Sequence, residues 1–558
     1  MKRLAILGLA TWLLTACGER LAGGGDATET GSARVSGQVV LENGRPIAGA
    51  EVFILPADYN PMAGAALPDS QKDTTDTDGR YRFTRLGNGN YNLQVQHSGT
   101  HTRSLFLGIR LAIDPAVKDS VSVPEDTLRA PGSVSIPLPE NRDSGIGYVF
   151  IPGTTFRKRV GSEEQRVGSV LLDSLPAGRM PSVEYIDEDP DAKRVELASD
   201  VGVQPGALTN VNAYATWGHS AVLALNTSAS GVAIATDQTD FPLLVRLASP
   251  AFDFSAATPG GADLRFSKPD GRPLVREIQS WDAQAGKAEI WVRLDTVHAG
   301  MASQSITMHW GKSDAVAPLS GGRVFDTSVG FAGVWHMEED AADTSANGLY
   351  KDATGGGSNG DDRVRNKARI GVVGAGHGLD SGDYIQAPKA SNGLRLANRF
   401  TVSGWYRNAR GNGPLGGEIL SVGDNYGFRV RNDSNLHLWY WPAVPRAGAG
   451  TDWNGISVKS AAFVDGNWHQ VFGSFDGAGL RLYVDGIEQG YTAYTDPVGL
   501  QFPVNVTMGK HGNGKTGFEF KGEIDETQVH SRVRNADWIK LSYENQKPAA
   551  KFPAEAGP

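Results

Sequence analysis

The stretch FKGEIDETQVHSR, residues 520–532, decides how the C-terminal part of the chain is interpreted. Its first carboxylates, Glu523 and Asp525, are two positions apart, so a β-strand would place both side chains on the same face. The stretch is therefore either a strand whose carboxylates carry out chemistry or a strand that only closes a β-sandwich.

Length and composition indicate an all-β chain of several domains. With 558 residues the chain exceeds what one hydrophobic core supports, and we expect about three to five domains. It contains 70 glycines and 29 prolines, and short apolar runs alternate with Gly, Asn and Asp clusters, which is typical of β-structure. The net charge is −9 and no block of lysines and arginines is present, so nucleic acid is not an expected partner.

The N-terminus indicates export and a lipid anchor. Residues 1–16 combine Lys2 and Arg3 with an apolar run that is too short to span a bilayer, as in a signal peptide. The letters LTAC, which end at Cys17, resemble the bacterial lipobox; this implies an acylated Cys17 thiol that holds the protein in a lipid membrane, at the outer membrane or cell surface. An ordinary secretory signal with a chance cysteine is the alternative. Residues 17–33 form a flexible tether, and because Cys17 is the only cysteine, no internal disulfide is expected.

Two regions after the tether carry the motifs of one small sandwich family. Residues 34–112 contain V-x-G-x-V, D-x-D-G-x-Y-x-F and G-x-Y-x-L, and resemble the carboxypeptidase regulatory-like β-sandwich. Residues 129–197 resemble a degenerate copy of it that keeps an IPGT loop and an LPAG turn. Calcium binding by Asp76 and Asp78 is one interpretation; the favoured one is that they shape the turn before the next strand.

The next block, residues 212–318, contains FPLLVRL, ADLRFSKPDG, EIQSWD and AEIWVRL. In this order the segments resemble the domain of unknown function 2341 family. The resemblance implies a further β-domain but no role, since the role of the family is itself unassigned.

The last domain carries the clearest resemblance. Segments GVWHMEE, GLDSGDYIQAP, FTVSGWYR and LRLYVDGIEQG precede the opening stretch within residues 330–547. Together they resemble the laminin-G-like, concanavalin A-type lectin/glucanase jelly roll, in which Asp485 and Gly486 form a hairpin turn. The resemblance implies a multidomain string of β-sandwiches that ends in this jelly roll, followed by a tail at 548–558.

The carboxylates of the opening stretch do not complete the catalytic pattern of the glucanases that share this sandwich. Those enzymes carry E-x-D-x-x-E, and retaining hydrolysis needs two carboxyl groups about 5 to 5.5 Å apart. Here the third position is Gln528, whose amide cannot donate and recover a proton. The stretch matches the non-catalytic laminin-G-like closing strand better, with Ile524 pointing inward and Asp525 outward or toward a metal. We therefore expect no enzymatic activity.

A ligand-binding surface is predicted from the aromatic stretch NLHLWYWPAV, residues 435–444. Lectin sandwiches hold sugars on aromatic faces beside a few polar groups. Strand alternation puts the leucines of this stretch on one face, which we assign to the core, and leaves Trp439 and Trp441 on the outer surface. Tyr426 and Trp453 are nearby candidates. In the alternative interpretation both tryptophans of the stretch pack under a loop.

A structural calcium is also implied, because laminin-G-like sandwiches often hold one through carboxylate and carbonyl oxygens. Asp343 and Asp525 occupy the matching motif positions, and Glu338 is a further candidate. Calcium takes about six to eight oxygen ligands, more than these three side chains identify.

The predicted function is binding. We expect a membrane-anchored surface lipoprotein that binds carbohydrate or another surface ligand through its lectin-like domain, without catalysis. A structural or adhesive subunit of a cell-surface assembly, with no sugar binding, is the alternative. A glycosidase with an unrecognised site is a third interpretation.

Overall fold

The structure is a computed structural model. It describes residues 33–62, 67–111, 120–138, 146–162, 164, 169–188, 194–211, 214, 217–315, 324–340, 346–365, 368–380, 382–387, 392–408, 411–444 and 453–553. Cys17, most of the tether and Asp343 lie outside these residues, so what the sequence predicts for them stays a prediction. No helix in the described ranges is long and apolar enough to cross a membrane.

The chain divides into two compact units, Met1–Val211 and Asn212–Pro558. The first unit contains mixed β-sheets, the described strand pairs of the second are antiparallel, and the chain is an all-β protein, as the sequence predicts. The described α-helix is α1 (Ala536–Gln546). Short 3-10 turns lie at Asp69–Gln71, Phe254–Ala256, Pro259–Gly261, Thr327–Val329, Asn392–Leu394 and Ala461–Val464.

The first unit contains two sandwiches, each with its own hydrophobic core. The strands of the first are β1 (Ala33–Leu41), β2 (Glu51–Pro56), β3 (Lys72–Thr74), β4 (Arg80–Leu86), β5 (Gly89–His97), β6 (Thr102–Leu111), β7 (Ser120–Ser122) and β8 (Asp126–Leu128). The strands of the second are β9 (Gly132–Pro137), β10 (Gly147–Phe150), β11 (Arg157–Val160), β12 (Ser169–Leu175), β13 (Gly178–Asp187), β14 (Val195–Val203) and β15 (Leu208–Asn210). The sheet orders are β4-β1-β7 with β8 on β1 and β3-β2-β5-β6 in the first, and β11-β10-β13-β14 and β12-β9-β15 in the second.

The turn before β4 has the geometry that the favoured sequence interpretation requires. The Asp76 carboxylate accepts the backbone N–H groups of Asp78 and Arg80, each at 2.9 Å. A carboxylate that closes its own turn in this way fixes the chain direction into the strand.

The second unit begins with a smaller pair of sheets and ends in a large sandwich. The smaller sheets, ordered β16-β22-β18-β19 and β17-β21-β20, contain β16 (His219–Ala224), β17 (Gln238–Ala248), β18 (Arg265–Ser267), β19 (Pro273–Leu274), β20 (Arg276–Asp282), β21 (Lys287–Val297) and β22 (Ser305–Trp310). The sandwich contains β23 (Phe331–Trp335), β24 (Asp361–Arg363), β25 (Ala368–Ile370), β26 (Ala375–Leu379), β27 (Tyr384–Ala387), β28 (Phe400–Arg407), β29 (Gly417–Val422), β30 (Tyr426–Val430), β31 (Asn435–Tyr440), β32 (Asn454–Lys459), β33 (Trp468–Phe475), β34 (Gly479–Val484), β35 (Ile487–Ala493), β36 (Val506–Met508) and β37 (Gly522–His530).

Two sheets form this sandwich. Within the described residues, one sheet has eight strands in the order β25-β26-β37-β28-β33-β34-β35, with β23 also on β37, and the other has seven in the order β24-β27-β36-β29-β30-β31-β32. The opening stretch is therefore β37, a central strand and not an edge. The predicted hairpin joins β34 to β35, where Asp485 and Gly486 both have positive φ (53° and 78°), the geometry that an Asp-Gly turn supplies.

Helix α1 and the block that precedes the sandwich together cover the outer face of the eight-stranded sheet. Tyr406 and Leu482 point into the core between the two sheets, whereas their neighbours Trp405 and Tyr483 belong to a second cluster shared with β17 and β21. In that cluster the Trp538 ring of α1 lies edge-on to Phe241 of β17, with centroids 5.5 Å apart. The two regions that the sequence analysis treats as separate domains, residues 212–318 and 330–547, thus share one hydrophobic core.

Polar contacts hold the same junction. Asn545 of α1 accepts the N–H of Leu244 at 2.7 Å and donates to its carbonyl at 2.9 Å, as a neighbouring strand would. Asp537 accepts the backbone N–H groups of Ala235 and Thr236 at 3.0 and 2.8 Å. The helix after the last strand therefore joins the preceding block to the sandwich.

Candidate functional site

The outer face of the seven-stranded sheet carries a row of polar side chains. Across β29, β30 and β31, Glu418 pairs with Arg429 and Arg429 pairs with His437. His437 in turn pairs with Ser457 of β32. We call Glu418, Arg429, His437 and Ser457 the polar row.

Strand alternation explains why the polar row faces away from the core. Leu436, Leu438 and Tyr440 of β31 lie in the cluster between the two sheets, as the sequence predicts. His437 and Trp439 alternate with them and so project from the opposite side.

The polar row is mostly buried, and several of its atoms lack partners. Glu418 and His437 are 0% and 2% exposed, and the nearest Glu418–Arg429 contact, Oε2 to Nη1, is 3.7 Å. Within the described residues no hydrogen-bond partner reaches either ring nitrogen of His437, Nε of Arg429 or Oε2 of Glu418. Buried polar atoms are nearly always paired, so such a group indicates a place that water or a ligand fills.

Burial also sets the charges of the polar row. It raises the pKa of Glu418 to about 7, against the opposing effect of Arg429. Burial, together with the charges of Arg429 and Arg431, lowers the pKa of His437 to about 3. His437 is therefore a neutral imidazole at neutral pH, with one N–H donor and one acceptor nitrogen.

The prediction that Trp439 is exposed is wrong. The residue is 3% exposed, and its Nε1 donates to Oε1 of Glu418 at 2.7 Å. Its ring lies 5.3 Å from that of His511, which in turn lies 4.7 Å from Phe518. The segment before β37 thus covers Trp439, as in the alternative interpretation of packing beneath a loop.

The proposed ligand contact at Tyr426 is also wrong. Tyr426 is fully buried between the two sheets, where its ring stacks on Phe400 at 4.5 Å. Its hydroxyl donates to the carbonyl of Leu394 at 2.8 Å. Tyr426 lies two residues before the buried Phe428 on β30. Strand alternation therefore places both side chains on the same, core-facing side.

Trp453 and Trp441 are the two aromatic candidates that keep exposed surface. They lie one residue beyond the last pair of β31 and β32, Tyr440 and Asn454. Trp453 is 37% exposed, and its ring contacts that of His437 edge-on at 4.6 Å. Trp441 is half-buried against Phe502, with its indole N–H unpaired among the described residues. An exposed indole therefore borders the unpaired imidazole.

Asp525 of β37 does not lie in an open cleft. Ile524 points into the core, as the matched pattern implies, and Asp525 points to the outer side. Asp525 is fully buried there, where its carboxylate accepts the N–H groups of Val372 and Val373 at 2.7 and 3.0 Å. Burial, then the neighbouring charge of Glu526, raises the pKa of Asp525 well above its ordinary value. The segment around Val372 and Val373 therefore closes this carboxylate off from solvent.

Glu338 and Asp525, two of the three predicted metal ligands, accept hydrogen bonds from the protein. Glu338 accepts hydrogen bonds from Gln279 at 2.7 Å and from the N–H of Ala375 at 3.1 Å. Burial raises the pKa of Glu338 to about 7. No group of three or more His, Cys, Asp or Glu side chains that could hold a metal is found in the described ranges, which do not include Asp343. The calcium shared by Asp343 and Asp525 stays a prediction. In the structure the Asp525 carboxylate accepts hydrogen bonds from backbone N–H groups.

Sequence reasoning missed Glu418, Arg429 and His437. Glu418 and Arg429 are single charges within the otherwise apolar strands GEILSV and YGFRV. A charge in a strand of this kind indicates either a solvated face or a buried polar pair, and that signal was available in the sequence.

Three segments match family models. Residues 379–540 match the "Concanavalin A-like lectin/glucanases superfamily", residues 34–119 the "Carboxypeptidase regulatory-like domain" and residues 260–338 the "Domain of unknown function (DUF2341)". The last match continues through β23, the first strand of the large sandwich, in keeping with the shared core. No curated protein matches the chain.

The solved structures to which the chain is similar have low sequence identity and low TM-scores. Domain 4 of AbnA, an extracellular arabinanase from Geobacillus stearothermophilus in complex with arabinotriose, is 18% identical over 38% of this chain and 96% of that chain, with a TM-score of 0.28. The botulinum neurotoxin serotype D ligand binding domain in complex with N-acetylneuraminic acid is 14% identical over 39% and 51%, with a TM-score of 0.29. The binding domain of Paraclostridial Mosquitocidal Protein 1 is 13% identical over 39% and 52%, with a TM-score of 0.28.

The match therefore spans about half of each of the two toxin chains. These scores and identities carry no argument about the ligand of this chain. The family matches confirm three of the resemblances: in chain order, this all-β protein carries a carboxypeptidase regulatory-like domain, a DUF2341 domain and a concanavalin A-like lectin/glucanase domain. The degenerate copy at residues 129–197 stays a prediction.

Proposed function

We propose that this chain is a non-catalytic surface protein that binds glycan on the outer face of the seven-stranded sheet, beside Trp453. One observation carries the proposal: the exposed Trp453 indole borders a polar row whose buried atoms lack partners. Sugars present C–H faces that stack on rings and hydroxyls that both donate and accept. The exposed Ser457 hydroxyl can donate and accept at the surface beside the ring, whereas the neutral His437 is buried.

The energetics favour an occupied site. A buried polar group left without a partner costs about 1 to 3 kcal/mol, so hydroxyls or waters that pair with the polar row relieve a penalty in the free protein. The outer face of the eight-stranded sheet offers no comparable surface where the preceding block covers it, which is why the proposal rests on the seven-stranded sheet.

Loss of the Trp453 ring is expected to weaken glycan binding. Removing one stacking ring costs about 1 to 3 kcal/mol, which corresponds to about 5- to 150-fold in affinity. The full chain should bind a subset of a glycan array, and Trp453→Ala should lose those signals while its free energy of unfolding in urea changes by about 1 kcal/mol or less. Tyr491→Ala, which removes an exposed ring from β35, is the matched control and should bind normally.

The alternative is a structural or adhesive subunit that packs on a protein partner. It predicts that the full chain binds no glycan on the array. Wild-type protein that binds no glycan, or binding that Trp453→Ala leaves intact, would exclude the sugar site at this surface.

We further propose that Cys17 carries the lipid anchor, on the basis of the LTAC sequence and the absence of any other cysteine. Palmitate fed to cells that express the full chain should label the protein, and Cys17→Ser should abolish the label. Label that persists in Cys17→Ser would refute the anchor.

A further inference from the structure

A second polar cavity lies on the other sheet, at the beginning of β37. It has a volume of about 310 Å³ and is bordered by Arg369, Asp380, Arg407 and Glu523. This volume is near the lower end of the range of about 300 to 1,000 Å³ that small-molecule sites occupy. The polar row and Trp453 belong to the seven-stranded sheet, so the cavity is a separate place on the same unit.

Opposite charges converge on one nearly enclosed carboxylate. Glu523 pairs in register with Arg407 of β28 on one side and with Gly378 of β26 on the other. Its Oε2 contacts Nη2 of Arg407, and its Oε1 lies 3.9 Å from Nη1 of Arg369. The Glu523 side chain is 12% exposed, whereas those of Arg369 and Arg407 are 56% and 42% exposed. The carboxylate thus forms the inner wall and the two guanidinium groups extend to solvent.

Glycines keep this cavity open. Gly378, Gly466 and Gly522 all line it. A Cβ at Gly378 would lie 2.8 Å from Nε of Arg369, and one at Gly522 would lie 2.3 Å from the carbonyl oxygen of Arg407. Gly522 also has φ of +156°, at the border of the region that favours glycine. A side chain at either position would therefore push against Arg369 or the Arg407 backbone, which form the wall of the cavity.

The chemistry of the wall selects the class of ligand. Two guanidinium groups face two carboxylates, so the cavity has no net charge to attract an ion. A guanidinium has five N–H donors and a carboxylate about four acceptor sites, so the ion pairs leave many of them free for a ligand. Arg407 lies over the Trp468 ring at 5.4 Å, and Leu379 adds an apolar patch to the charged wall. Alternating donors and acceptors without net charge match the hydroxyls of a neutral sugar.

We propose that this cavity is a second carbohydrate subsite, which takes one neutral sugar unit through Glu523, Arg369 and Arg407. Its carboxylate accepts sugar hydroxyls, and the two guanidinium groups donate to hydroxyl or ring oxygens. The subsite does not depend on the Trp453 surface, since none of its groups touches the polar row. Two subsites on one unit would strengthen attachment to a glycan that presents many sugar units.

Saturation-transfer NMR with methyl glycosides tests this inference. The probes are methyl glucoside, galactoside, mannoside and arabinoside, with methyl glucuronide as the charged comparison, added at millimolar concentration to the full chain carrying Trp453→Ala. At least one neutral glycoside should receive saturation and should do so more strongly than the glucuronide. Arg369→Met, at a side chain exposed enough to spare the fold, should weaken the transfer at least about fivefold, and Glu523→Gln should weaken it further.

Arg481→Met is the matched control, since Arg481 is a partly exposed arginine that pairs with Asp476 away from the cavity. It should leave the transfer unchanged. Absence of transfer from every neutral glycoside, a stronger signal from the glucuronide, or transfer that Arg369→Met and Glu523→Gln both leave intact would overturn the proposal. A transfer lost in these variants but also in Arg481→Met would overturn it as well.

Discussion

A fragment of residues 324–553 that lacks the preceding block is expected to aggregate or remain unfolded, whereas a fragment of residues 217–553 is expected to fold. Removing the block uncovers rings that now pack on it, among them Trp538, which lies against Phe241, and Phe325, which lies against Trp291. Fully burying one large apolar side chain contributes about 1.5 to 3 kcal/mol, and several such losses approach the whole stability of a domain, about 5 to 15 kcal/mol.

Size-exclusion chromatography and urea unfolding of the two fragments measure this effect. The longer fragment should elute as a single species and unfold cooperatively. A monomeric 324–553 fragment with a cooperative transition at the same urea concentration would show that the sandwich does not need the block. In that case the shared core would be only a docking contact between two independent domains.

Replacing His336 with leucine is expected to destabilise the second unit by about 3 to 5 kcal/mol, the range for breaking a buried ion pair. Nδ1 of His336 lies 2.8 Å from Oε1 of Glu526, and Nε2 lies 3.7 Å from Oε1 of Glu277 in the preceding block. Burial opposes a charge on His336, but the carboxylates of Glu526 and Glu277 outweigh it and raise its pKa well above the ordinary value. His336→Leu would leave two carboxylates facing each other in a closed site.

The pH dependence of the loss follows from the direction of the shift. A raised pKa means that the folded state holds the proton more tightly, so the contribution is fully present below the ordinary histidine pKa of about 6.5 and is lost as pH rises through the folded value. The difference between wild type and His336→Leu in urea unfolding should therefore be largest below about pH 6.5 and should shrink in alkaline buffer.

A double variant provides the control. Adding Glu526→Leu to His336→Leu removes both charges together and should recover much of the stability, since an apolar replacement of a buried pair is often neutral. A loss below about 1 kcal/mol in the single variant, or strict additivity in the double variant, would contradict the assignment of a charged bridge between block and sandwich.

The sequence predicted local features of the sandwich correctly because they depend on neighbouring residues. Alternation in β31 and the Asp485-Gly486 turn need only a few positions, and both are confirmed. The same pattern could not show whether an outward side chain is covered. Trp439 is buried by His511 and Phe518, which lie more than seventy positions later, and no pattern within β31 reports on them.

The boundary between block and sandwich was equally hard to predict from the sequence. Motifs on either side of the interval from 318 to 330 resemble two different families, and this suggests two independent cores. The single core arises because Phe325 and Phe331 pack against each other, and Phe325 also packs on Trp291 of the block. Long-range packing of this kind has no local signature, and neither does the pairing of Glu418 with Arg429.

Indole NMR gives the most direct test of the central claim, that a glycan binds beside Trp453 on the outer face of the seven-stranded sheet. In the 217–553 fragment labelled with ¹⁵N-tryptophan, Trp453→Phe assigns the Trp453 indole signal. Titration with the glycan that binds best on the array should shift this signal strongly, because the ring is exposed and would stack on the sugar. The Trp439 signal, from an indole bonded to Glu418 beneath a covering segment, should move little. Tight binding of that glycan with the Trp453 signal unmoved would contradict the account.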